Sequence, residues 1–291
     1  MDLKCVWKTP AILGEGPLWV ERENALYWVD VVGKQVHRLG LADDSRKSWN
    51  FPTEITSLAP RKQGGMVATT RHGFAFIDFT SADPQPEIFA SLESDIPGNR
   101  FNDGKADRHG RFWAGSVDEA GWKAETGSLY RLNADLSVEK KDGPYICSNG
   151  PAFSADHKTF YHSETMKGLV YAFDFDEAGE ISNKRSFVKL KDGEGGCDGM
   201  TVDSENCLWV CHFGGGRLTR YSSKGDLLLT LTMPVPNVTS CTFGGKDLDT
   251  LFITTARYGM SEDNLSTYPL AGSLFACKPG VKGLPTALFA G

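Results

Sequence analysis

The run "LYWVD", residues 26–30, is five residues of aromatic, β-branched and apolar character ending on an acid. By itself it reads as one short strand. Five further runs resemble it: "MVATT" from Met66, "FWAGS" from Phe112, "FYHSE" from Phe160, "LWVCH" from Leu208 and "LFITT" from Leu251. Their starts lie 40, 46, 48, 48 and 43 residues apart. Most are followed by a Gly-containing turn and a second β-rich run, as in "GSLYRLN", "GLVYAFDF" and "GSLFACK". Repeats of this period with several strands each are the mark of a propeller. One unit leaves two apolar faces open, whereas six packed around an axis cover one another. The expectation is an all-β, six-bladed β-propeller with a metal site in its central channel. Two packed sandwiches would explain the alternation but not the even phase.

The repeats fill the chain without a linker-like segment, so one domain over residues 1–291 is expected. The N-terminal "LKCVW" is expected to complete the last blade after "LFAC". The one helical candidate is "SEDNLSTYPL", worth one or two turns.

Composition narrows the function. Of 291 residues, 40% are apolar and 23% charged, ordinary for a chain with a real core. A net charge of −6 without a Lys/Arg cluster argues against nucleic acid as a partner. No apolar stretch reaches membrane-spanning length, and the N-terminus lacks a basic segment followed by an apolar one. Seven scattered cysteines without zinc-knuckle spacing suggest reduced thiols and a cytoplasmic protein.

Ten or eleven residues before four of the runs stands an oxygen-bearing side chain: Glu15 in "GEGPLW", Asn102 in "RFNDGKAD", Asn149 in "SNGPAFSAD" and Asp198 in "CDGMTVD". The other two blades offer Thr56, and Thr239 with Ser240. Equivalent positions at the start of the innermost strands converge on the axis at one face. Two carboxylates and two amides in one small volume call for a compensating charge. Hard oxygen ligands suit a divalent cation: calcium, magnesium or manganese, with zinc admitted. The loops of the same face carry Arg71, His72, Asp118, Glu119, Trp122, His212, Arg257 and Tyr258, a polar and aromatic rim of the kind that binds carbohydrate. Arg100, two residues before Asn102, is placed to anchor an anionic or polyhydroxylated substrate.

The motifs "LGEGPLW", "RFNDGKAD", "SNGPAFS", "CDGMTVD" and "FITTAR", in that order, resemble the senescence-marker-protein/gluconolactonase family. That resemblance implies a six-bladed propeller with one divalent cation in its channel, hydrolysing aldonolactones to aldonic acids. It implies metal ligands at Glu15, Asn149 and Asp198 and substrate contacts at Arg100 and Asn102. A further substrate-contacting acid falls by counting on Ala120, leaving Asp118 or Glu119 to serve. Asp198 is then the general base, and no nucleophilic Ser is needed; no G-x-S-x-G motif is present. Two other readings use the same residues: a calcium-binding propeller without turnover, and a different metal-dependent esterase.

Overall fold

A computed structural model describes residues 1–291 and contains six four-stranded antiparallel sheets. Within blades one to five the strands follow chain order from the axis outward. The innermost strands are Gly14–Val20, Ile55–Pro60, Asn99–Ala106, Ser148–Phe153, Gly196–Val202 and Val238–Gly244. The six repeated runs all fall in the second strands, such as Ala25–Asp30 and Phe112–Asp118. Both of those strands are buried along their whole length, because each face packs against a neighbouring blade. Outermost strands such as Leu227–Thr232 alternate towards solvent. Tyr27, Val29 and Trp49 of blade one pack with Ile55, Leu58 and Met66 of blade two, and similar clusters fill the other blade interfaces.

Lys4–Trp7 pairs with Leu274–Cys277 as the outermost strand of blade six, with Cys5 opposite Phe275. The ring therefore closes by joining the two ends of the chain within one sheet, as expected. Helix content is 4%, and the single α-helix, Glu262–Thr267, lies inside the expected segment. Its N-cap is Ser261, whose hydroxyl accepts the Asn264 N–H. No helix is long and apolar enough to cross a membrane. All seven cysteines are free thiols.

Blades three and five share a buried staple. In "DRHGRFW" and "DSENCLW" an Asp precedes a Trp by six residues. Asp203 accepts the Glu205 and Cys207 N–H groups, the Trp209 indole N–H and the Arg220 Nε–H. Asp107 does the same for His109, Arg111 and Trp113. Both acids are fully buried, so each fixes a turn, an aromatic core residue and a guanidinium at once. Asp203→Ala leaves several donors without an acceptor, and it should cost about 3–5 kcal/mol in denaturant unfolding. A loss below about 1 kcal/mol, the ordinary effect of a point change, would mean the staple does not hold the blade.

Candidate functional site: a buried acid set on the propeller axis

Every innermost strand is irregular at the same height. In blades one, three, four and five, two residues of the inner strand face one of its partner. Glu15 pairs with Val29 but Leu18 with Tyr27; Asn149 pairs with Ser163 but Ala152 with Tyr161. The same shift separates Phe101 from Gly104 and Cys197 from Met200. Blades two and six shift around Thr56 and Thr239. A bulge re-aims the side chains at it and ends regular pairing. Gly150, at φ +76°, supplies the left-handed residue that the bulge of blade four needs.

The four oxygen-bearing residues are all buried at these bulges, with Arg100 and Asp103 beside them. Asn102 donates to Asn149 Oδ1 at 2.9 Å and to the Ser148 carbonyl at 3.0 Å. Arg100 Nη1 donates to Asn102 Oδ1 at 2.7 Å. An arginine only donates, so it turns the oxygen of Asn102 towards itself and the amide NH2 towards Asn149. Asn149 must then present its own oxygen to Asn102 and donate to Thr165 Oγ1, at 2.9 Å. Thr165 passes the chain on to the Cys197 carbonyl, next to Asp198. One cation thus sets the direction of both axial amides, Asn102 and Asn149.

The carboxylates lack such partners. Glu15 receives only a 3.3 Å bond from its neighbour's Gly16 N–H. Burial, then repulsion from Asp198 and Asp103, pushes its pKa well above the usual carboxylate range. Asp198 is raised by burial and by Asp103, against the Gly199 N–H and the Asn149 amide. Asp103, raised to about 7 chiefly by burial, accepts the Gly150 N–H. No three His, Cys, Asp or Glu side chains form a metal-sized group. The donor set that fits a cation is therefore mixed, two carboxylates and the fixed Asn149 oxygen. It is hard, buried and short of positive charge, and this suits a divalent ion of the calcium, magnesium or manganese kind.

Around the mouth, the two loop acids do different things. The Asp118 carboxylate accepts the Lys123 and Ala124 N–H groups, which hold it below the usual range. It shapes its own loop. Glu119 turns to the axis, at 2.7 Å from Arg100 Nε and 2.8 Å from Arg71 Nη1. Burial opposes its ionisation, but the two arginines outweigh burial and leave its pKa lowered. Trp122 meets Tyr258 edge-on at 6.3 Å, so a loop of blade three touches one of blade six across the axis. Arg100 lies 5.9 Å from the Trp122 ring.

The remaining rim residues contribute less. His212 is spent within blade five, between the Glu194 carbonyl and Thr219. Arg257 faces a separate cavity with Lys8. The Thr56 and Thr239 hydroxyls bond to Thr69 and to the Gly14 carbonyl, whereas Ser240 lines the channel below. Sequence reasoning passed over Asp103. Its signal is the Asn-Asp pair itself, two polar side chains in succession where a regular strand would bury one of them.

Three comparisons bear on this site. The model of the SMP-30/Gluconolactonase/LRE-like region matches residues 13–257. A 6-deoxy-6-sulfogluconolactonase of Pseudomonas putida is 36% identical over 99% of both chains. The regucalcin of Oryctolagus cuniculus is 39% identical, over 100% of this chain and 99% of its own. The solved structure of a calcium-binding protein, regucalcin, from Agrobacterium tumefaciens superposes with a TM-score of 0.92 at 26% identity, over 98% of this chain and 96% of that one.

The acid set has a measurable signature in protein stripped of divalent cations. Glu15 and Asp198 have folded pKa values above their unfolded ones, so the folded chain binds more protons and stability falls as pH rises above about 4. Buried His37, His157 and His162, lowered by burial to about 4, 4 and 3, push the other way up to about pH 6.5. The readout is therefore a difference in melting temperature between stripped wild type and Glu15→Gln/Asp198→Asn. That difference should move in the variant's favour from pH 5 to pH 7.5. A constant difference would mean the carboxylates are not strained by burial.

Proposed function

Because the chain belongs to the SMP-30/gluconolactonase/LRE-like family, we propose that it hydrolyses a sugar lactone to the aldonic acid, with one divalent cation held by Glu15, Asn149 and Asp198. The observation that carries this reading is the pair of buried, cation-deficient carboxylates beside an Asn149 oxygen whose direction Arg100 fixes. When bound, the cation supplies Lewis acidity towards a carbonyl and an adjacent water. Asp198 takes a proton from that water as the water oxygen bonds to the lactone carbon. The ring C–O bond then breaks, and Asp198 returns the proton to the departing ring oxygen. The carboxylic acid product loses its own proton to solvent. Arg100 and Asn102 hold the carbonyl side and the hydroxyls, and Glu119 keeps Arg100 in place.

The rim cations nearest the axis are already neutralised, Arg71 by Glu54 and Glu119 and Arg100 by Glu119. This favours an uncharged aldonolactone over one bearing a sulfonate or phosphate. A calcium-binding protein without turnover is the second reading, favoured by the likeness to the Agrobacterium regucalcin. It needs the cation but has no use for the Glu119–Arg100–Asn102 chain.

With a panel of lactones in weak buffer and a pH indicator, wild type should release acid, stop on addition of chelator and recover with calcium, manganese or zinc. Acid release indifferent to chelator would overturn the cation's role. Asp198→Asn keeps an oxygen ligand and should lower kcat by at least about 10²-fold at saturating metal. Glu119→Gln loosens Arg100 and should raise KM and, through the Asn102–Asn149 amide chain, weaken metal affinity as well.

A further inference from the structure

The channel continues past the acid set. Beneath it lies a cavity of about 120 Å3 to which all six innermost strands contribute, so it is coaxial with the site. Its far end is crossed by residues 284–287 near His157, on the face opposite the mouth. Asp103 is the wall shared by the two halves: it lines this cavity, and its charge reaches Glu15 and Asp198. Lys105 follows two residues later on the same strand and lines the same cavity.

The lower half is polar where it matters. Lys105 Nζ donates to the Met200 carbonyl at 2.8 Å. An ammonium carries three donors, and no carboxylate lies within ion-pair distance to take the other two. Thr201, Ser240 and Thr242 line the same space. At about 30 Å3 per water, the cavity has room for about four. An ammonium buried there is stabilised by such partners and costly without them.

The mouth is differently placed. The Trp122–Tyr258 contact spans it from blade three to blade six, and a bound lactone would fill the space between that roof and the acid set. Each turnover consumes one water, which must reach the lactone carbon while the ring occupies the mouth.

We propose that this water is drawn from the lower half of the channel, and that Lys105 is the positioning residue that holds it beside Asp103, at the boundary with the acid set. The inference rests on the lactone-hydrolysis reading. One water enters from below per turnover; its oxygen ends in the carboxylate, one of its protons in the new hydroxyl, and the other leaves with the ionising product. Lys105 acts only as a hydrogen-bond donor and transfers nothing.

The test compares Thr201→Leu, which fills the cavity without altering charge, with Thr201→Val, which removes the hydroxyl but keeps the room. Lys105→Met keeps the length of the side chain and removes its donors. Thr201→Leu and Lys105→Met should each lower kcat by about tenfold or more, the cost of a misplaced reactant, with KM within about twofold of wild type. Calcium affinity by titration calorimetry should stay within the same limits, and Thr201→Val should keep most of its turnover. A structural defect would instead move KM, metal affinity and melting temperature together. Should Thr201→Leu not fold, Thr242→Leu fills the same cavity from blade six. Filled variants that turn over like wild type would show that water enters by the mouth and overturn the proposal, while leaving lactone hydrolysis standing. A wild type without turnover on any lactone, with metal bound, would remove both.

Discussion

One residue too many in each innermost strand is the constraint on which this molecule depends. A regular strand sends successive side chains to opposite faces, so only alternate residues could look at the axis. The bulge breaks that rule at one height in all six blades. It lets Asn102 and Asp103 both lie in the channel, and it gives Glu15, Asn149 and Asp198 their shared level. The cost is irregular backbone in the tightest part of the fold. Glycine absorbs it: a Cβ at position 199 would stand 2.2 Å from Ser240 Oγ of the next blade.

Charge is the second constraint, and it explains why the six blades are not alike. Three acids near one axis are all raised by burial, and Glu15 and Asp198 are raised further by repulsion from Asp103. Six acids would be worse. Blades two and six place threonine hydroxyls there instead and spend them on neighbouring oxygens. Arg100 above and Lys105 below bracket the acids with positive charge. Neither forms an ion pair with Glu15 or Asp198; Arg100 pairs with Glu119 and Lys105 donates to a carbonyl.

The ring was legible in the sequence because blade interfaces demand apolar second strands at a regular period. The closing strand was legible too, since "LKCVW" had no other partner of its kind. The four axial oxygens could be found because each sits at a fixed distance before its run. Asp103 escaped although the Asn102–Asp103 pair interrupts the alternation, and Lys105 escaped because a single lysine in a strand carries no mark of what it faces. Asp118 and Glu119 could not be told apart by counting. Their difference arises from the loop's own hydrogen bonds, which turn one carboxylate inward to Lys123 and Ala124 and leave the other for the arginines. The meeting of Trp122 with Tyr258 depends on which blades stand opposite, and that is a property of the closed ring alone.

That meeting ties roof to floor. Trp122 sits at φ +55°, a left-handed conformation unusual for a bulky residue, and the Asp118 carboxylate pins the residues that follow it. Three residues earlier in the same loop, Glu119 grips Arg100, and Arg100 directs the amide chain that ends beside Asp198. A displacement of the loop therefore cannot stay at the surface. It releases the guanidinium, the guanidinium releases Asn102, and the oxygen of Asn149 loses the reason for its direction. The loop that decides what fits under the mouth is in this way also the loop that keeps the acid set in order, so pocket shape and site geometry cannot be altered independently.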